Sequence, residues 1–167
     1  MSRSMFDDLD ASASARMDSA DSRTLRLSAH PLTEAELGGL LRYQEAFLTH
    51  LEGAPEGAGA LVDAHQKGLE ASGLDVKVVE LGTSLLRAYG GQRWTARTLR
   101  ERLAALEKRE DAASQEKADK ARSELRRIED LEPLARRYGQ GSIDLLNGHE
   151  DRLVALHTRM QKALTRA

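Results

Sequence analysis

The stretch EKREDAASQEKADKARSE, residues 107–124, holds no Leu, Ile, Val, Met or aromatic residue, yet apolar residues recur at helical spacing on both sides of it. Read as a linker, it splits the chain into two blocks; read as a helix, it makes one helical protein with a solvated segment. It has no Gly or Pro, and Glu116, Lys120 and Glu124 form an i, i+4 ladder that Arg126 and Asp130 continue. Each such pair is worth a few tenths of a kcal/mol, enough to support a helix in good helix-forming sequence and too little to dock it. The stretch therefore reads as an exposed helical extension with a turn near residues 112–114. A solvated charge run is the plain interpretation; a surface projected toward a partner is the sharper one, with Arg109, Lys117, Lys120 and Arg122 as its candidate contacts.

Upstream, Leu99, Leu103 and Leu106 show 4–3 spacing, and the apolar register resumes beyond the polar stretch as Ala118, Ala121, Leu125 and Ile128. Carrying the heptad through would put Glu110, Ala113 and Lys117 on the seam, so the register lapses and returns shifted by one. No sustained coiled coil is expected. Farther upstream, LDVKVVELGTSLLRAYGG is the most hydrophobic part of the chain. Val78, Leu81, Gly82, Leu85, Leu86 and Tyr89 share a face with Val79 beside it, the pattern of a mostly buried helix. The β-branched run at residues 76–81 also suits a strand, but no second strand pairs with it. Gly90 and Gly91 are expected to interrupt or end this helix, with Trp94 as a core plug at the start of the next.

Earlier still, Thr33 and Glu36 form a T-x-x-E capping box, and Leu37, Leu40, Leu41, Gln44, Phe47, Leu48 and Leu51 give one apolar face. EGAPEGAG stops that helix. A second begins near Ala58, presents Leu61, Val62, His65 and Leu69, and ends at Ser72 and Gly73, so the two make a helical hairpin. Downstream, Pro133 forces a restart near residues 130–132, and the short segment PLARRYG closes at Gly139. Ser142 is the expected cap of the last helix, whose stripe is Ile143, Leu146, His149, Leu153, Leu156, Met160 and Ala163. Residues 1–29 are rich in Ser, Ala, Asp and Arg and read as a disordered tail, within which MFDDLD is a short acidic and hydrophobic candidate docking segment.

Composition agrees with an all-α chain. Of 167 residues, 31% are charged and only 4% aromatic, and cysteine is absent, which removes disulfides, thiol nucleophiles and cysteine-based metal sites. No run approaches the roughly 20 apolar residues needed to span a bilayer, and the N-terminus lacks the apolar core of a signal peptide, so a cytoplasmic chain is expected. The net charge of −2 hides an asymmetry: residues 30–92 carry four basic and nine acidic side chains, whereas residues 93–137 carry thirteen and ten. That excess gives a weak field, short of the basic stripe expected of a nucleic-acid binder.

Enzyme motifs are missing. There is no G-x-x-x-x-G-K-[ST], no G-x-S-x-G and no H-E-x-x-H, and none of His50, His65, His149 and His157 has a glutamate three residues before it, as di-iron bundles require. No cofactor or metal is expected. His65, His149 and His157 lie on or beside apolar faces, where a hydrogen-bonded structural histidine is the ordinary role. The alternative is a cavity between helices that these three histidines line, holding a small ligand or a catalytic pair such as Glu45 with His149.

LTEAELGGLLRYQEAF and LARRYGQGSIDLLNGHEDRLVALHTRM resemble the opening and closing helices of small, uncharacterised helical proteins of myxobacteria, several of which are exported lipoproteins. The resemblance covers about half the chain, supports a helical fold and implies no activity, and the lipobox cysteine of its exported members is absent here; export is the alternative location for the case that a native leader has been removed. The expectation is a single all-α domain, residues 30–167, built as a bundle of four or five helices behind the tail. Its expected role is a non-enzymatic protein-interaction or adaptor module.

Overall fold

The computed structural model describes residues 31–54, 57 and 59–166; the tail and its MFDDLD segment lie outside them. The described chain is helical throughout: α1 (Glu34–Gly53), α2 (Ala60–Ser72), α3 (Val76–Glu107), α4 (Ala112–Glu129), α5 (Glu132–Tyr138), α6 (Gln140–Asn147) and α7 (Glu150–Arg166). Five long helices and two short ones make the all-α bundle that the periodicities require.

The capping box forms as its spacing dictates. Thr33 Oγ1 accepts from Glu36 N at 3.1 Å, and Glu36 Oε1 accepts from Thr33 N at 3.3 Å. Seven of the expected α1 positions, including Leu40 and Leu48 with no exposed surface, are buried. Gly73, at φ 66, lets the chain leave α2 in a left-handed turn that a side chain would strain. The hairpin is tight because Gly68 lies under Tyr43, where a Cβ would come within 2.6 Å of the ring. The α2 face differs from expectation. Ala64, Gly68 and Ser72 are its buried positions, whereas Leu61 and Val62 are 43% and 68% exposed, because the small residues set the approach to α1 and turn the larger ones outward.

Three boundaries also differ. α3 runs unbroken through Gly90 and Gly91 for 32 residues, about 48 Å at 1.5 Å per residue. These glycines are places of close approach: a Cβ on Gly90 would meet Leu153 O at 3.3 Å, and one on Gly91 would meet the His157 ring at 3.4 Å. Trp94 is accordingly mid-helix and half-buried rather than a plug at a helix start. The polar stretch 107–124 is divided, because α3 ends at Glu107 and Asp111 caps α4 by accepting from Ser114 N at 2.9 Å. The turn thus falls at residues 108–111, and α4 folds back along α3 instead of extending α3. Finally, Ser142 caps nothing. It is buried inside α6, where its hydroxyl accepts from Leu32 N at 2.9 Å, and Gly148 separates α6 from α7. The restart at Pro133 forms α5, which Gly139, at φ 94, joins to α6.

The core joins Leu32, α1, Ala64 of α2, Val79 to Tyr89 of α3, Tyr138, Ile143 and Leu146, and Leu153, Leu156 and Ala163 of α7. No α4 residue belongs to it, and neither does α3 beyond Tyr89. The distal half of α3 and α4 therefore form a two-helix arm with a seam of its own. Ala96, Ala118 and Ala121 are its fully or nearly buried members, small side chains that let the two backbones approach.

Candidate functional site

The four expected contact residues all fall on the arm, in different situations. Arg109 is exposed in the turn, and Lys117 is exposed on α4. Lys120 is exposed, 3.8 Å from Glu116. Arg122 is not a spare charge: it reaches back across the turn to Glu107 at 3.1 Å and along α4 to Asp119 at 2.6 Å. Arg100 pairs with Glu129 near the foot of the arm, so ion pairs cross the seam at two levels on the same side. The expected Lys120–Glu124 rung is replaced, since Glu124 lies 3.6 Å from Arg127.

At the foot, Gln92 Nε2 donates to Ile128 O at 2.6 Å and to Asp130 O at 3.0 Å. These carbonyls are left over where α4 ends, so the glutamine both caps α4 and fixes the arm to α3.

The three histidines have separate partners. His65 Nδ1 is 2.6 Å from the Tyr43 hydroxyl, within the α1–α2 hairpin. His149 is half-buried at the start of α7, where its carbonyl accepts from Leu153 N at 3.0 Å. His157 sits against Trp94, with ring centroids 5.8 Å apart. Glu45, the suggested partner of His149, is instead bound by Arg159 at 2.7 Å. Among the described residues, no group of three or more His, Asp or Glu is placed to hold a metal ion, and no helix is long and apolar enough to cross a membrane.

Burial holds the His157 imidazole below its usual pKa, and the nearby Arg87 charge pushes the same way. The folded protein thus prefers neutral His157, and the unfolded chain takes the proton first as pH falls through about 6.5. Stability is expected to decline from about pH 6.5 downward until the folded protein also binds the proton, then to stop declining on this account. The melting temperature of His157→Gln, measured from pH 7.5 to 5, should show a smaller loss than that of the parent; equal losses would remove His157 as the cause.

Two ionic clusters were missed because their members are far apart in sequence. Glu150 accepts from Arg93 at 2.5 Å and from Arg97 at 2.7 Å, and Arg97 also reaches Asp151 at 2.6 Å, which locks α7 to α3. Arg159 bridges Glu45 and Glu52 and locks α7 to α1. Beside the first cluster, Tyr89 donates its hydroxyl to Asn147 Oδ1 at 2.7 Å, and burial, with Glu150 adding to it, pushes the phenol up to about 12. The only local signal was Arg93 and Arg97 at i, i+4, which on its own does not name a partner.

The described fold and its surfaces define an all-helical bundle with a two-helix arm. Comparison with protein families, with curated proteins and with solved structures returns no match to this chain.

Proposed function

We propose that the protein is a non-enzymatic interaction or adaptor module that contacts another protein through the α3–α4 arm. The observation that carries this reading is the separation of the arm from the core. Its seam is made by alanines and ion pairs, and Leu99, Leu103, Leu106, Leu125 and Ile128 stay half-buried there. Half-covered leucines at 3–4 spacing beside unpaired cations are the raw material of an interface, since apolar area supplies affinity and charge supplies register.

The test is a triple variant, Arg109→Glu, Lys117→Glu and Lys120→Glu, with Arg122 kept because it holds the turn. The melting temperature should change by no more than about 4 °C, since among the described residues only Lys120 of the three is paired and an exposed pair contributes about 0.2–1 kcal/mol. Co-purification of the partner with the tagged protein should be lost, because charge reversal in a contact surface sets like charges together. Retained co-purification at an unchanged melting temperature would show that the arm is merely a solvated face.

A further inference from the structure

The two edges of the arm differ. Ion pairs from Arg100 to Glu129 and from Arg122 to Glu107 close one edge. At about 100° per residue, Leu99 and Leu106 of α3 and Ile128 of α4 turn toward the other, with Arg102 and Lys117 flanking them. All three apolar residues are half-buried, and among the described residues neither Arg102 nor Lys117 has a carboxylate partner. At the foot this edge opens into a cleft of about 320 Å³ lined by Gln92, Thr95, Arg127, Ile128, Asp130 and Pro133. The open edge is therefore apolar along its floor, and its unengaged charges are basic: Glu124, on the same face as Lys117, is held by Arg127, and Asp130 accepts from Glu132 N. A second copy would set these cations against each other, so the chemistry it selects is an acidic segment with apolar side chains.

Such a segment exists in the same chain. Residues 5–10, MFDDLD, alternate Met5, Phe6 and Leu9 with Asp7, Asp8 and Asp10. Its tether starts at Leu32, hydrogen-bonded to Ser142 of α6, and the short helix α5 is the one element between α6 and the end of α4. From Asp10 to Pro31 is 21 residues, which can span at most about 70 Å. α4 is 18 residues, about 27 Å long, so the whole edge is within reach.

We propose that residues 5–10 dock along the open edge of the arm in the same molecule, with Phe6 and Leu9 on Leu99, Leu106 and Ile128 and the aspartates beside Arg102 and Lys117. The proposal rests on the arm being the contact surface, and it makes the tail a built-in competitor of the partner. A tether of this length supplies an effective concentration of the order of mM, so a contact too weak to detect between separate molecules is filled within one.

The chain has no cysteine, so Ser4→Cys in the full-length protein gives a single site for a nitroxide label. With the chain labelled by nitrogen-15, the amide signals of Leu99, Arg102, Leu106, Lys117 and Ile128 should broaden selectively in dilute solution and sharpen again at high salt, where charge attraction is screened. Broadening should also vanish in Asp7→Asn, Asp8→Asn, Asp10→Asn and in Arg102→Glu, Lys117→Glu, each with the melting temperature of the parent. No selective broadening, broadening of a different surface, or broadening that arises only between mixed nitroxide-labelled and isotope-labelled copies would overturn docking within one chain. Should broadening be absent while the arm's triple charge variant still loses its partner, this inference falls and the interaction reading stands. Broadening with unchanged partner capture would instead fell that reading, taking with it the tail's role as competitor.

Discussion

Leu40→Ala should cost about 3 kcal/mol, within the roughly 2–5 kcal/mol range for fully buried leucines, and lower the melting temperature by on the order of 10 °C. Leu40 has no exposed surface and lies over Gly82, the one position of its turn of α3 without a side chain in the way. A Cβ on Gly82 would come within 2.7 Å of Leu40 Cδ2 and 3.1 Å of its Cγ, so helix α1 rests on α3 at this point through a leucine set into a glycine gap. Gly82→Ala alone should therefore destabilise too. Overpacking costs about 1–3 kcal/mol, and the gain of about 1 kcal/mol from alanine's better helix propensity offsets part of it.

The two changes should not add. In Leu40→Ala, Gly82→Ala the new methyl enters the space that the leucine has left, so the strain term disappears, the cavity shrinks and the propensity gain remains. The double variant should be about 1–2 kcal/mol more stable than the sum of the single effects, measured by urea unfolding, in the range seen for residues in direct contact. Additivity within error would mean that Leu40 does not occupy the Gly82 gap.

This pair also shows what the sequence discloses. Leu40 was legible because it repeats at helical spacing behind a capping box, and Gly82 was placed on the correct face. Which residue fills the gap was not legible, since it belongs to another helix. Gly90 and Gly91 misled for the same reason: a glycine pair looks like a helix end, yet here it admits Leu153 and His157 from α7. The arm was misread differently. Ala96, Ala118 and Ala121 make a tight seam without registering as strongly hydrophobic, and the turn at residues 108–111 contains neither Gly nor Pro. Its one signal is Asp111 three residues before Ser114, a capping spacing buried in a charged run. Leu61 and Val62 fail conversely, because side-chain size predicts burial only where the neighbouring helix leaves room. The candidate contacts on the arm were legible as charges, but that Arg122 is already engaged follows only from the fold.

Glu150→Ala should lower stability nearly as much as the core truncation, by about 2–4 kcal/mol. The Arg93 side chain it neutralises is only 9% exposed, and stripping a buried charge of its partner costs roughly 3–5 kcal/mol; Glu150 itself, at 28%, is more open to water, which lowers the expectation. Glu150→Gln should cost less because the amide oxygen still accepts from Arg93 or Arg97. Burial by itself would raise the Glu150 carboxyl's pKa, but the hydrogen bonds from Arg97 and Arg93 outweigh it and hold the group below its ordinary value. The folded protein therefore gives up this proton more readily than the unfolded chain, whose glutamates titrate near about 4.3. The stabilisation is complete above that pH and is lost as pH falls through the lower, folded value. Acid unfolding curves should accordingly differ most between parent and Glu150→Gln at neutral pH and converge in acid. A difference that stays constant across the titration would mean that the Arg93–Glu150–Arg97 cluster holds α7 by packing alone. That outcome would remove the electrostatic lock between the two helices from which the arm and the bundle diverge.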